Sequence, residues 1–383
     1  MNEMKKLLAL VVALALAASL VAIPALAEDT IKIGGIGVLT GPYAMYGVGV
    51  KNGVDLYIDE INAAGGIGGK KVEMLWEDSE GSPDKAANAY NKLVQNDGVC
   101  AILGPVLSGA TDAVADLAAA DGIPMITASA TAYDITTDRP NVFRTCFLDP
   151  FQGKVMADFT SQELKATKVA AMYKNGDDYS VGLKDAFVAE AKTLGMEVVD
   201  EEASADKDVD FKTQLTNIKD SGAEVVFLAY YGDAASYILT QAKELGLSVK
   251  FTGGDGISNI AGSISDKSLL TNMYYSDHFS NSADSEIVKK YLADYQTKYG
   301  EMPSISFSAT AYDAAKVLCS AIATVGDPTN ASAIVDAIKT SSTEGVTGTI
   351  TFDDHNDPIK SAFILNFDAE GNQVFVKQQA PQQ

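Results

Sequence analysis

The feature that most restricts this chain is an alternation of apolar, strand-like runs with amphipathic helical ones. It runs through once, breaks near Arg144, and starts again. Residues 31–39 are apolar and glycine-rich, as a strand is. Residues 46–63 set Val54, Ile58 and Ile61 at helical spacing and stop at Gly65-Gly66. A strand is expected at 71–76. Ser82-Pro83 opens a helix whose face is Ala87, Tyr90 and Val94. A strand at 99–106, a helix at 111–120 and a strand at 124–128 complete the first round. The second round reads helix 151–164, strand 168–173, helix 180–194 and strand 196–202. It continues with a helix around Phe211, Leu215 and Ile218, strand 223–230, helix 234–245 and strand 249–253. Such alternation predicts an α/β fold, with mostly parallel sheets covered by helices on both faces. The remainder offers helices at 308–323 and 331–340, then short strand-like pieces. It is too small to stand alone and is expected to complete the two sheets already begun.

At 383 residues the chain is long enough for two domains. Its first 27 residues carry Lys5 and Lys6, an apolar run and an Ala25-Leu26-Ala27 end. That is the pattern of a cleaved secretory signal, which places the work outside the cytoplasm, in the periplasm or cell envelope. No cysteine lies at the cleavage region, which argues against a lipid anchor. With 29 Lys and Arg against 51 Asp and Glu, the formal net charge is −22. Phosphate backbones repel such a chain, so nucleic acid is excluded as a partner. The cysteines are Cys100, Cys146 and Cys319, an odd count that leaves at least one thiol unpaired within the chain. Cys100 lies in an apolar run and is expected to be packed inside.

Several kinds of chemistry can be set aside. The only histidines are His278 and His355. Each sits in a polar stretch, SDHFS and DDHND, where a solvated side chain is expected. GGIGGK at 65–70 fails as a phosphate loop, because Ala64 stands at its first glycine and Lys71 at its Ser/Thr. Gly35-Ile36-Gly37 lacks the third glycine of a dinucleotide fingerprint. Asp206, Asp208 and Asp210 start like a calcium loop, but Phe211 and Asn217 break it. No cofactor, metal or catalytic group is expected.

What remains is LGPVLSGATDA at 103–113. Here an apolar run passes through an uncharged turn into a helix. Ser108 is either an ordinary N-cap or part of an anion site made of helix-terminal N–H groups. ITASAT at 126–131 is a second such turn, and ligands of parallel sheets sit beyond the carboxyl ends of the strands. Ser108, Ser129 and Thr131 would meet there. The second round ends its strands near Tyr179, Tyr231 and Asp255. Asp255 alone reads first as a turn former in GGDG, and only the combination points to a ligand. Together, anion donors on one side and a carboxylate with phenols on the other suit an amino-acid-shaped ligand.

These stretches resemble the type I periplasmic solute-binding proteins of ABC importers, especially the leucine/isoleucine/valine-binding branch. The resemblance rests on GVLTGPYAMYG (37–47), INAAGGIGGKKVEMLWED (61–78), ILGPVLSGAT (102–111), PMITASAT (124–131), FRTCFLDPFQG (143–153) and GVTGTITFD (345–353). It implies two lobes with three hinge crossings, near 144–149, 275–280 and 345–352. One lobe would hold 28–147 and 278–348, the other 148–277 and 349–383. It implies that Ser108, Ser129, Ala130 and Thr131 hold the ligand carboxylate and part of the ammonium. Asp255 would take the ammonium, Tyr179 and Tyr231 would touch the ligand from the second lobe, and Tyr46 and Tyr312 would flank its side chain. The family's disulfide does not carry over. The expected function is capture of an amino acid, branched or otherwise aliphatic, by a monomer that passes it to a membrane permease. The same fold with another ligand stays open: an aromatic amino acid, an amide or urea, an aromatic acid, or a sensory role.

Overall fold

The computed structural model of the chain describes residues 30–381. The expected signal segment lies outside the described residues. The first round forms β1 (Ile31–Gly37), α1 (Ala44–Ala63), β2 (Val72–Asp78), α2 (Pro83–Asn91), β3 (Ile102–Leu103), α3 (Ser108–Asp121), β4 (Met125–Thr127) and β5 (Val142–Arg144). The second forms α4 (Asp149–Gln162), β6 (Lys168–Lys174), α5 (Asp178–Thr193), β7 (Glu197–Ser204), α6 (Lys212–Ser221), β8 (Val225–Ala229), α7 (Gly232–Glu244), β9 (Lys250–Gly253), α8 (Ile260–Ser263) and β10 (Met273–Asp277). Then come α9 (Glu286–Tyr299), α10 (Phe307–Val325), α11 (Ala331–Lys339), β11 (Thr343–Gly345), β12 (Gly348–Ile350), β13 (Ala362–Phe367) and β14 (Gln373–Gln379).

The strands make a parallel five-stranded sheet, ordered β2-β1-β3-β4-β5, and a seven-stranded sheet, β14-β13-β10-β9-β8-β6-β7. In the second sheet β10 to β7 run parallel, and β13 and β14 add antiparallel. Strand β8, VVFLA, is buried at every position, as a central strand covered on both faces must be. Phe187 of α5 stacks on Phe227 of β8 at 4.0 Å and ties helix to sheet. The chain passes between the sheets after β5, after β10 and between β12 and β13.

Two expectations need correction, and one helix was not foreseen. The tail completes only the larger sheet, through β13 and β14, while β11 and β12 pair with each other as a separate hairpin. The expected strand at 99–106 shrinks to Ile102–Leu103. Pro105 has no N–H for a ladder, and Gly104 turns away at φ +107. The region before 308 contains a full helix, α9, which the sequence reading passed over.

Candidate functional site

Both sheets point the carboxyl ends of their strands at the space between them. From the first sheet come the start of α3 and the 127–132 turn. Ser108 is the first helical residue, so it is not the N-cap. Leu107 holds that place and offers no side-chain cap, so the first-turn donors of α3 face the cleft uncapped by any side chain. The Ser108 hydroxyl instead accepts a hydrogen bond from the Ala132 N–H at 3.3 Å, which ties the two turns together. Ser129 Oγ donates to the Val106 carbonyl at 2.9 Å. The Ala130 N–H donates to Thr127 Oγ1 at 3.2 Å. Thr131 is buried. Arg144, fully buried, fixes the turn from behind: Nη1 donates to the Ala130 and Ala132 carbonyls at 3.1 and 2.7 Å, and Nε meets Asp357 Oδ1 at 2.6 Å.

From the second sheet come Tyr179, Tyr231 and Asp255. The Tyr179 hydroxyl accepts from the Gly256 N–H at 2.9 Å, and its ring stacks on Tyr231 at 4.9 Å. Asp255 is 1% exposed. Its Oδ1 accepts from Gln152 Nε2 at 2.9 Å and its Oδ2 lies 3.0 Å from His278 Nε2. Gln152 bridges to a second carboxylate, donating to Asp149 Oδ1 at 2.7 Å. The Asp149 N–H donates to the Thr131 carbonyl at 2.9 Å, which sets its carboxyl beside the Thr131 hydroxyl. Burial, and then the charge of Asp255, raise the Asp149 carboxyl well above its ordinary range. Two buried carboxyls thus share one amide bridge, with His278 on Asp255 alone, and among the described residues neither forms an ion pair with a lysine or arginine. Burial lowers the His278 pKa against the pull of Asp255.

The structure brings Ser108, Ser129, Ala130, Thr131, Tyr179, Tyr231, Asp255 and Tyr46 to this interface and leaves one candidate elsewhere. Tyr312 donates to Glu60 Oε2 at 2.6 Å and packs edge-on against Tyr57 and Tyr291. Five positions along α10 turn it away from Phe307, whose ring lies 5.7 Å from Tyr46. Phe307 is therefore the aromatic of α10 at the cleft. His278 is also corrected: it is fully buried and packed against Phe147 at 3.8 Å, whereas His355 is exposed. Asp149, Gln152 and Phe307 were missed as well. The first two lie within FRTCFLDPFQG, and buried polar side chains in such a stretch were the available signal. Cys100 is only partly buried, while Cys146 and Cys319 are buried, and all are free thiols. Outside the interface, the cleft mouth opens into a chamber of about 820 Å³, lined by Tyr43, Leu107, Gly109, Lys174, Asp177 and Tyr231 among others. Among the described residues no group of His, Cys, Asp or Glu is arranged to hold a metal.

A two-sheet α/β molecule with a buried polar interface between strand ends is the architecture of a ligand-binding protein. The chain belongs to the periplasmic binding protein family, whose profile matches residues 30–372. It is 36% identical over 330 residues to the Leu/Ile/Val-binding protein BraC3 of Rhizobium johnstonii, covering 85% of this chain and 87% of that one. The leucine-binding protein LivK of Thermotoga maritima superposes with a TM-score of 0.86 at 29% identity, over 92% of this chain and 99% of that one. LivJ of Streptococcus pneumoniae, a branched-chain amino acid transporter substrate-binding protein solved with isoleucine, gives 0.85 at 32%, with the same coverage. The resemblance read from the motifs and the α/β fold are both borne out.

Proposed function

We propose that this chain is an exported, non-enzymatic solute-binding protein for a branched-chain or other aliphatic amino acid. It encloses the ligand between its lobes (28–147 with 278–348, and 148–277 with 349–383) and presents it as a monomer to an ABC permease. The observation that carries this reading is the buried opposition of two unlike surfaces. On one side are helix-terminal and turn N–H donors with the Thr131 hydroxyl. On the other is Asp255, which Gln152 bridges to Asp149 beside the 127–132 turn, and among the described residues neither carboxyl forms an ion pair with a lysine or arginine. A zwitterion supplies what each side lacks: a carboxylate for the donors and an ammonium for the carboxyls. The relatives named for leucine, isoleucine and valine support the same ligand class.

A simple carboxylic acid is the second reading, and the paired buried carboxyls argue against it, since it brings no cation. A thermal-shift screen over amino acids and ammonium-free acids tests the choice. Leucine, isoleucine or valine should raise the melting temperature and the acids should not. Asp255→Ala should weaken binding by about 100-fold or more, because about 3–5 kcal/mol is lost when a buried charge is left alone. No shift with any amino acid would sink the proposal.

A further inference from the structure

We propose that the Tyr46 hydroxyl is a latch that holds the lobes shut, rather than a contact to the ligand. This rests on the binding reading above and adds a residue role to it. Tyr46 lies near the start of α1, beside the first sheet, and is 1% exposed. Its three polar neighbours all belong to the other lobe. The hydroxyl accepts from the Gly232 N–H at 2.9 Å and faces two acceptors, the Gly256 carbonyl at 2.7 Å and Asn259 Oδ1 at 2.6 Å. A phenol has one proton and two lone pairs. It therefore accepts from Gly232 and shares its single proton between the Gly256 carbonyl and Asn259 Oδ1.

The socket is built for this approach. Gly232 is the first residue of α7, and its N-cap, Tyr231, supplies no side-chain cap. The phenol of Tyr46 therefore does for α7 what a capping side chain does, but from the opposite lobe. A Cβ on Gly232 would come within 2.1 Å of Asn259 Oδ1, so only glycine leaves room beside the amide. The ring is held on its own side too. A Cβ on Gly47 would sit 2.1 Å from the Val38 carbonyl, and one on Gly53 would sit 1.9 Å from that of Ser308. Helix α1 thus lies hard against its neighbours, and Phe307 flanks the ring. Opening the lobes breaks these contacts at once without disturbing either lobe. The latch therefore adds to the closed state alone, and by the same amount for every ligand.

Calorimetry and dissociation kinetics with leucine, isoleucine and valine test this, using Tyr46→Phe, Asn259→Ala and the double variant, with small-angle scattering of each chain without ligand. Tyr46→Phe should lose about 10–100-fold in affinity for all three ligands alike, through faster dissociation. Asn259→Ala should follow it, and the double variant should lose no more than Tyr46→Phe. Ligand-free Tyr46→Phe should show a larger radius of gyration than the wild type, with an unchanged melting temperature. Unchanged affinity, a loss that varies with the ligand side chain, fully additive losses, or identical scattering would overturn the latch. A wild-type chain that binds no amino acid would defeat the proposed function instead, and the scattering comparison would still decide the latch.

Discussion

Asp255 shows how much of a site depends on what stands behind a single residue. By itself GGDG is a turn, and the structure does place Asp255 at the start of a short 3₁₀ turn after β9. What makes its carboxylate available is Gln152, whose Oε1 also accepts from the Asp255 N–H at 3.1 Å and from Ser276 Oγ at 2.9 Å. This side chain, with both ends used, sets the distance between Asp255 and Asp149. Burial and the charge of Asp255 hold Asp149 protonated well above the ordinary carboxylate range. A ligand ammonium beside the pair would reverse that and favour the ionised form. Binding should then release a proton, and affinity should fall as the pH drops through the raised pKa. Titration calorimetry at mildly acidic pH, in buffers of different ionisation enthalpy, measures this directly. Heats that do not depend on the buffer would contradict it.

At the scale of elements, the crossings are where the lobes are joined, and they are built on buried charge. Lys360, in the segment between β12 and β13, donates to the Thr145 carbonyl at 3.0 Å and to the Thr347 hydroxyl. It thereby pins the first crossing to the third. Burial lowers its pKa to about 8, against the pull of Asp313. Below about 8 the lysine is charged in the folded and unfolded chains alike. Between about 8 and its unfolded value near 10.4 the unfolded chain binds more protons, so stability rises with pH there, by up to about 1.4 kcal/mol per unit. Lys360→Met should lack that rise. Urea unfolding of both chains from pH 7 to 10 checks it, and parallel stability curves would contradict it.

Elements were legible in sequence wherever local chemistry decided them. Val288, Tyr291, Leu292 and Tyr295 had the spacing of a buried helical face, with Ser285 capping Val288 N–H at 3.3 Å and Gly300 closing the end, so α9 was readable and was overlooked. The true start of α3 was less so. Ser108 has cap chemistry, but its hydroxyl is taken by Ala132 in a neighbouring turn, and only the packed fold reveals that.

At the scale of the whole molecule, the two-round alternation translated into two sheets because each parallel strand needs a crossover helix to return it. The site resisted sequence reading for a related reason: its residues come from both sheets and from distant stretches of sequence. His278 comes from a stretch that reads as solvated, yet it is carried inward by β10 to face Asp255. Tyr312 and Phe307 share a helix, and only its rotation against α1 decides which ring reaches the cleft.

The central claim is that the closed cleft clamps both α-groups of one amino acid. Calorimetric titration with L-isoleucine, with 3-methylpentanoate (the same skeleton without the ammonium) and with 2-methylbutylamine (without the carboxylate) tests it most directly. Isoleucine should bind, and each truncated compound should bind at least about 100-fold more weakly, as expected when a buried charged partner is left unpaired. Binding of 3-methylpentanoate as tight as that of isoleucine would contradict the account.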